Sequence, residues 1–95
     1  MVYVDKVHYA TDARGNELYI ASVKWTNSLH EDAVNQCNKK EMIDFINAHP
    51  GGAKTKYRLY GTWREGEEIH VVDNSYLRTD NNNTKADNLG NLPRF

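Results

Sequence analysis

Residues 38–52 read NKKEMIDFINAHPGG, and this stretch decides the fold because it carries the clearest helix signal in the chain. Asn38 and Glu41 have the spacing of a capping box, in which each side chain accepts a hydrogen bond from the backbone N–H of the other residue. The proline and two glycines at its end stop the pattern. We therefore expect one helix over residues 38–49. Its apolar face, with Phe45 and Ile46 expected to be buried, comprises Met42, Ile43, Phe45 and Ile46.

Two strand-like runs precede the helix. Residues 2–11 and 18–26 are rich in β-branched and aromatic side chains, and residues 12–16 between them have turn chemistry. This pattern predicts a β-hairpin. The alternation of the first run slips at Asp5 and Lys6, as a β-bulge would make it do.

Strict alternation in the second run places Val23 and Trp25 on one face and Ile20 on the other. The segment that follows, residues 27–37, fits a loop, a helical turn or a short strand equally well. The sequence therefore leaves its structure open.

Two more strand-like runs follow the helix, at residues 56–63 and 68–73, with residues 64–67 as their connection. The order β-β-α-β-β indicates an α+β fold. A four-stranded antiparallel sheet with the helix packed on one face is the simplest way to bury all the apolar faces. A chain of 95 residues supports one core, so residues 1–95 should form a single domain, with sheet and helix in 1–79.

Composition argues against some classes of partner. The formal net charge is −1, from 12 basic and 13 acidic residues, so no overall field attracts nucleic acid. The single cysteine, Cys37, fits a reducing compartment. No apolar run approaches the length of about 20 residues that crosses a membrane, and the start does not resemble a signal peptide. We expect a cytoplasmic protein without membrane contact.

The last 16 residues, 80–95, are rich in asparagine and aspartate but also contain apolar anchors, and we call them the strap. Leu89 and Leu92 should be buried, whereas residues 80–85 should form an exposed tip. Asp87 or Asn88 should bond to backbone or to Arg78, because short polar side chains satisfy irregular backbone. The spacing predicts an ordered strap.

A calcium loop is the alternative for this segment. Asp80, Asn82 and Thr84 alternate like the first ligands of an EF-hand. The sixth position is Lys85 where the loop needs glycine, and the twelfth is Asn91 where it needs glutamate. The four histidines are also scattered, so we expect no metal and no other cofactor.

The ending YLRTDNNNTKADNLGNLPRF resembles the closing signature of DUF3892, a family of small bacterial and phage-associated domains of unknown function. The matching positions are residues 76–79, 87–89, 92, 93 and 95, and the helix segment is similar to the helix of that family. The resemblance covers about residues 38–95 and implies almost nothing about activity. The resemblance leads us to expect a phage or mobile-element origin.

The strap and the residues before it supply one candidate site: Tyr76, Arg78, Asp87 and Asn88. Arginine presents a planar set of donors that pairs with carboxylates. Arg78 is either an anion or partner contact, or a structural clamp that holds the strap through Asp87. The structural interpretation is favoured, because a long irregular segment needs fixed points.

A second candidate site is the sheet face with Arg58 and Tyr60. The run KYRLYGTWR interleaves aromatic residues with Lys56, Arg58 and Arg64, a pattern that could stack single-stranded bases and contact phosphates. The simpler interpretation is that Tyr57, Leu59 and Trp63 form core under the helix and that the other face is ordinary solvated surface.

Three functions remain open. The leading hypothesis is a non-enzymatic module that binds an unidentified protein through a sheet face or an edge strand, because no catalytic constellation is visible. A single-stranded nucleic-acid-binding module is the disfavoured second. The third is an enzyme or small-ligand binder with a pocket under the strap.

Overall fold

The computed structural model describes residues 1–80 and 84–95. Within them the chain forms one helix and seven strands, so the predicted α+β class is confirmed. Five strands form one sheet in the order β3-β2-β1-β4-β5, and β6 and β7 form a separate antiparallel pair. In chain order the elements are β1 (Val2–Thr11), β2 (Glu17–Thr26), β3 (Asn35–Asn38), α1 (Lys39–Ala48), β4 (Ala53–Leu59), β5 (Thr62–Glu68), β6 (His70–Val72) and β7 (Tyr76–Arg78).

The predicted four-stranded antiparallel sheet is wrong in three respects. Within the predicted strand 68–73, His70–Val72 form β6, which pairs with β7 outside the main sheet. Strand β3 forms in the segment that the sequence left open and adds a fifth strand beside β2. Strand β4 runs parallel to β1. Their pairing begins with Val2 opposite Ala53 and ends with Val4 opposite Thr55. The helix occupies the connection from β3 to β4, and a crossover of this kind returns the chain in the same direction. Side-chain alternation specifies the buried face of a strand but not its neighbour.

The boundaries after the helix also differ from the prediction. The predicted strand 56–63 contains a tight turn at Tyr60 and Gly61, which joins β4 to β5 with Leu59 opposite Thr62. Residues 64–67, predicted as a connection, therefore lie inside β5. Both turn residues have positive φ, 51° and 77°, as in a type I′ hairpin turn. Tyrosine does not normally indicate this turn, so the sequence pattern did not predict the turn.

The helix forms as its capping box predicts. The Asn38 side chain accepts a hydrogen bond from the Glu41 N–H at 2.8 Å, and the Glu41 side chain accepts one from the Asn38 N–H at 3.0 Å. Ile46 is buried as expected. Phe45 only packs against the edge of the core and stays half-buried, with its ring 4.9 Å from that of His49.

Three register shifts interrupt the β1–β2 hairpin, and two of them position the core. The predicted bulge at Asp5 is confirmed, since Val4 pairs with Trp25 and Lys6 pairs with Lys24. A second irregularity at Ala21 places Ile20 and Val23 in the same core, which corrects the strict alternation expected for β2. The core consists of Val2, Val4, Val7, Ile20, Val23, Met42, Ile43, Ile46, Ala53, Ile69, Leu77, Leu89 and Leu92.

Candidate functional site

The strap is fastened to three elements by one buried carboxylate. Asp87 accepts hydrogen bonds from the backbone N–H of Ile20 in β2 at 2.7 Å and of Leu77 in β7 at 2.9 Å. Its third partner is the Lys39 ammonium at 3.0 Å, from the first residue of α1. Leu89 and Leu92 of the strap are buried in the core, as predicted. These contacts make Asp87 the point at which strap, sheet and helix meet.

Arg78 is buried and pairs with Asp80, not with Asp87 as the clamp hypothesis expected. Its guanidinium donates two hydrogen bonds to the Asp80 carboxylate at 2.8 and 2.7 Å and a third to the Ala86 carbonyl at 2.8 Å. Asp80 and Ala86 stand on either side of residues 81–83, so Arg78 holds the two ends of the strap tip together. Asp80, Thr84 and Lys85 are exposed. The middle of the predicted tip, with Asn82, lies outside the described residues.

Tyr76 and Asn88 complete the first candidate site, and all four of its residues lie where the strap crosses β7. The Lys39 ammonium lies 5.6 Å from the Tyr76 ring centroid. Asn88 extends β7 through backbone hydrogen bonds: its N–H donates to Leu77 and its carbonyl accepts from Thr79. The Arg78 guanidinium and the Asp87 carboxylate bond within the chain, as expected of a structural clamp.

The end of the strap continues the sheet beside β1. Val7 donates to the Pro93 carbonyl at 3.0 Å and accepts from the Phe95 N–H at 3.2 Å. Arg94 pairs with Glu17 at 2.6 and 3.0 Å. Since β4 leaves β1 after Thr55, the strap occupies the position beside β1 that β4 vacates.

The part of the β4–β5 hairpin that diverges from β1, residues 56–65, is the second candidate region, and we call it the arm. Tyr57 and Leu59 are 45% and 41% exposed, and Tyr60 at the turn is 96% exposed. The expectation that Tyr57 and Leu59 are core under the helix is therefore wrong. The turn also places Trp63 opposite Arg58, whose guanidinium lies 4.9 Å from the indole ring centroid.

Lys56, which the sequence suggested as a phosphate contact, is fully buried. Its ammonium donates to the backbone carbonyls of Ser28 at 3.0 Å, Leu29 at 3.4 Å and Glu31, and it lies 4.1 Å from the Trp63 ring centroid. Burial lowers the pKa of Lys56, and the nearby carboxylates of Asp5 and Asp32 oppose that shift. A lone lysine in a strand pattern gives no sequence signal for such a cage.

Two observations on the described residues bear on catalytic chemistry. Burial and the neighbouring Glu41 raise the pKa of the Cys37 thiol to about 11, so the thiolate that a nucleophile needs is scarce near neutral pH. Residues 1–80 and 84–95 contain no group of three or more histidine, cysteine or acidic side chains placed to hold a metal ion. No helix in these same residues has the length and apolar character to span a membrane.

Comparisons with protein-family models, with curated proteins and with solved structures find no match for this chain. The resemblance to the DUF3892 family therefore stays a prediction. The geometry of the arm and the strap is the basis for a functional proposal.

Proposed function

We propose that this protein is a non-enzymatic interaction module that binds a partner protein through the arm. Tyr60 carries the proposal. It is almost completely exposed and adopts a left-handed backbone conformation, with φ of 51°, in a turn whose first position favours asparagine or glycine. The side chain thus contributes nothing to the core while its backbone costs stability. Strained residues of this kind are concentrated at functional sites.

The surroundings of Tyr60 favour a protein partner. Tyr57 and Leu59 add exposed apolar surface on the same hairpin, and aromatic residues and arginine are the usual anchors of protein interfaces. Arg58 and Arg64 form no ion pair within the described residues. The partner surface should therefore offer an apolar pocket with acidic groups around it.

Nucleic acid is the weaker candidate because the arm exposes only two cations, Arg58 and Arg64. Of the three basic residues that the sequence suggested, Lys56 is enclosed by backbone carbonyls and unavailable to a phosphate. Binding to a nucleic-acid backbone depends on several such contacts. Arg58 and Arg64 alone would provide a small part of them.

Three proteins spanning residues 1–95 test the proposal: wild type, Tyr60→Asn and Val34→Ser. Val34 is a matched control, since it is 84% exposed and lies just before β3, at the opposite edge of the sheet. A partner captured by wild type should be retained by Val34→Ser and lost by Tyr60→Asn. With that partner purified, calorimetry should give at least about a 30-fold weaker affinity for Tyr60→Asn, as for an interface hot spot.

Two results would contradict the proposal. Equal binding of one partner by all three proteins would show that the arm is not part of the interface. Binding to single-stranded oligonucleotides that weakens with salt and disappears in Tyr60→Asn would instead favour the nucleic-acid alternative.

We also propose a reducing compartment, the cytoplasm, for this activity, because Cys37 has no second cysteine to pair with.

A further inference from the structure

A cavity of about 430 Å³ lies at the base of the arm, between β1, β4, β5 and the strap. It forms because β4 pairs with β1 only as far as Thr55, while the strap joins β1 at Val7. The bulge at Asp5 lies between these two pairings. A volume of this size falls within the range of small-molecule sites, about 300–1,000 Å³.

Two buried polar atoms belong to residues that line this cavity. Asp5 is 2% exposed, and its Oδ2 accepts a hydrogen bond from the Ala33 N–H at 2.9 Å. No described residue donates a hydrogen bond to its Oδ1, since the Lys6 ammonium at 3.8 Å is too far away. The indole Nε1 of Trp63 is likewise buried without an acceptor in the described chain.

Unpaired buried polar atoms are rare because they lose their bonds to water without replacement. Here one atom is an acceptor and the other is a donor, and both Asp5 and Trp63 line the same cavity. A ligand that satisfies both must donate one hydrogen bond and accept another. Lys6 and Arg58 also line the cavity and remain partly exposed, so their movement would admit a ligand to the covered atoms.

The charges around the cavity favour an uncharged ligand. Asp5 and Asp32 would repel an anion, whereas Lys6 and Arg58 would repel a cation. The Lys56 ammonium also lines the cavity, but three backbone carbonyls already accept its hydrogen bonds, so it has no donor left for a charged ligand. A neutral group avoids both repulsions.

We propose that this cavity binds a primary carboxamide. The amide N–H₂ would donate to Asp5 Oδ1, and the amide oxygen would accept from the Trp63 indole N–H. A carboxamide carries this donor and acceptor side by side on one uncharged group. The group could belong to a free small molecule or to an asparagine or glutamine side chain of a bound protein. The site does not depend on the arm as a partner-binding surface.

The two tryptophans of the chain make the test direct. Each gives one indole N–H signal in a ¹⁵N–¹H spectrum, and Trp63→Phe identifies the signal of Trp63. Nicotinamide, titrated to about 50 mM because small fragments bind weakly, should shift that signal to saturation and leave the Trp25 signal in place. Nicotinate, an anion, and methyl nicotinate, which lacks the N–H donor, should not. N-acetylglutamine methylamide tests the protein side chain as the source.

An isosteric variant separates recognition from folding. In Asp5→Asn the side-chain oxygen can keep the bond from Ala33 while an N–H₂ group faces the cavity. Nicotinamide should then bind about tenfold more weakly or worse, and methyl nicotinate, an acceptor only, should bind more tightly than it does to wild type. Asp44→Asn, which removes an exposed carboxylate on the helix, should leave both affinities unchanged.

Several outcomes would overturn the proposal. A titration without saturation for both carboxamides would mean that the cavity holds only water. Equal binding of nicotinamide and methyl nicotinate would show that Asp5 does not select a donor. If cytidine saturated the Trp63 signal while neither carboxamide did, the cavity would recognise a nucleobase instead. If a folded Asp5→Asn variant kept the wild-type preference for nicotinamide over methyl nicotinate, Asp5 would not be part of the site.

Discussion

The strap and the arm lie beside each other, and they use their side chains in opposite ways. The strap is polar in sequence, but its buried Asp87 carboxylate and the Arg78 guanidinium bond within the chain. The arm has the sequence of a core strand, but it exposes Tyr57, Leu59 and Tyr60. Polarity alone would have assigned the first to solvent and the second to the core.

This difference separates residues that stabilise the fold from residues that are available for binding. A satisfied polar group inside the protein contributes by fixing geometry, and its removal leaves its partners unpaired. An exposed apolar group contributes almost nothing to folding. Four predictions test this division, from the largest expected effect to the smallest.

Removing the Asp87 carboxylate should produce the largest loss. Asp87→Ala leaves two backbone N–H groups without their acceptor and the partly buried Lys39 ammonium without its counter-ion. The free energy of unfolding should fall by about 3–5 kcal/mol, measured by urea denaturation. Asp44→Ala, which removes an exposed carboxylate, should leave the midpoint nearly unchanged. A small loss for Asp87→Ala would mean that the strap is not fastened there.

Matched leucines compare the two regions directly. Leu89 in the strap is 3% exposed, and Leu59 in the arm is 41% exposed. Leu89→Ala should destabilise the protein by about 2–5 kcal/mol, because it opens a cavity in the core. Leu59→Ala should change stability by less than about 0.5 kcal/mol. Equal losses in a chemical-denaturation experiment would erase the distinction between strap and arm.

Gly66 tests how the arm is joined to the sheet. A Cβ at this position would lie 2.3 Å from Thr55 Oγ1 and 3.1 Å from the Thr55 carbonyl oxygen. Gly66→Ala should therefore cost about 1–3 kcal/mol, as in other overpacked sites. Thermal unfolding followed by circular dichroism would measure the shift. A variant as stable as wild type would indicate that β5 can shift away from Thr55 without cost.

Tyr60→Asn should have the smallest effect, and of opposite sign. Asparagine tolerates the left-handed conformation and precedes glycine in the favoured type I′ turn. Stability should rise by about 0.5–1 kcal/mol, because the strain at a φ of 51° is partly relieved. The melting temperature checks this result. A destabilised variant would mean that the Tyr60 side chain supports the fold.

The helix and the strap anchors were predictable because their signals are local or unambiguous. Asn38 and Glu41 cap the helix through contacts three residues apart. Leu89 and Leu92 are among the few apolar residues of a polar segment, so they were the natural candidates for burial, and both are buried. The bulge at Asp5 was also visible as a break in the alternation.

The arm and the site at its base were not predictable. The Tyr60–Gly61 turn lacks the asparagine that normally indicates it, so one strand was predicted where two strands meet. That error placed Trp63 on the wrong face relative to Lys56 and Arg58. The predicted partner of Arg78 was also wrong. Asp80 and Asp87 are both near Arg78 in sequence, and only the path of the strap distinguishes them.

The sequence by itself determined the α+β class, the capped helix, the first hairpin and the leucines that dock the strap. All of these depend on short-range periodicity, on caps or on turns. Only the tertiary structure decided the parallel pairing of β1 with β4, the cage around Lys56 and the cavity beside Asp5. These features arise because segments distant in the chain compete for the same neighbour, and that competition depends on the whole core and leaves no local pattern.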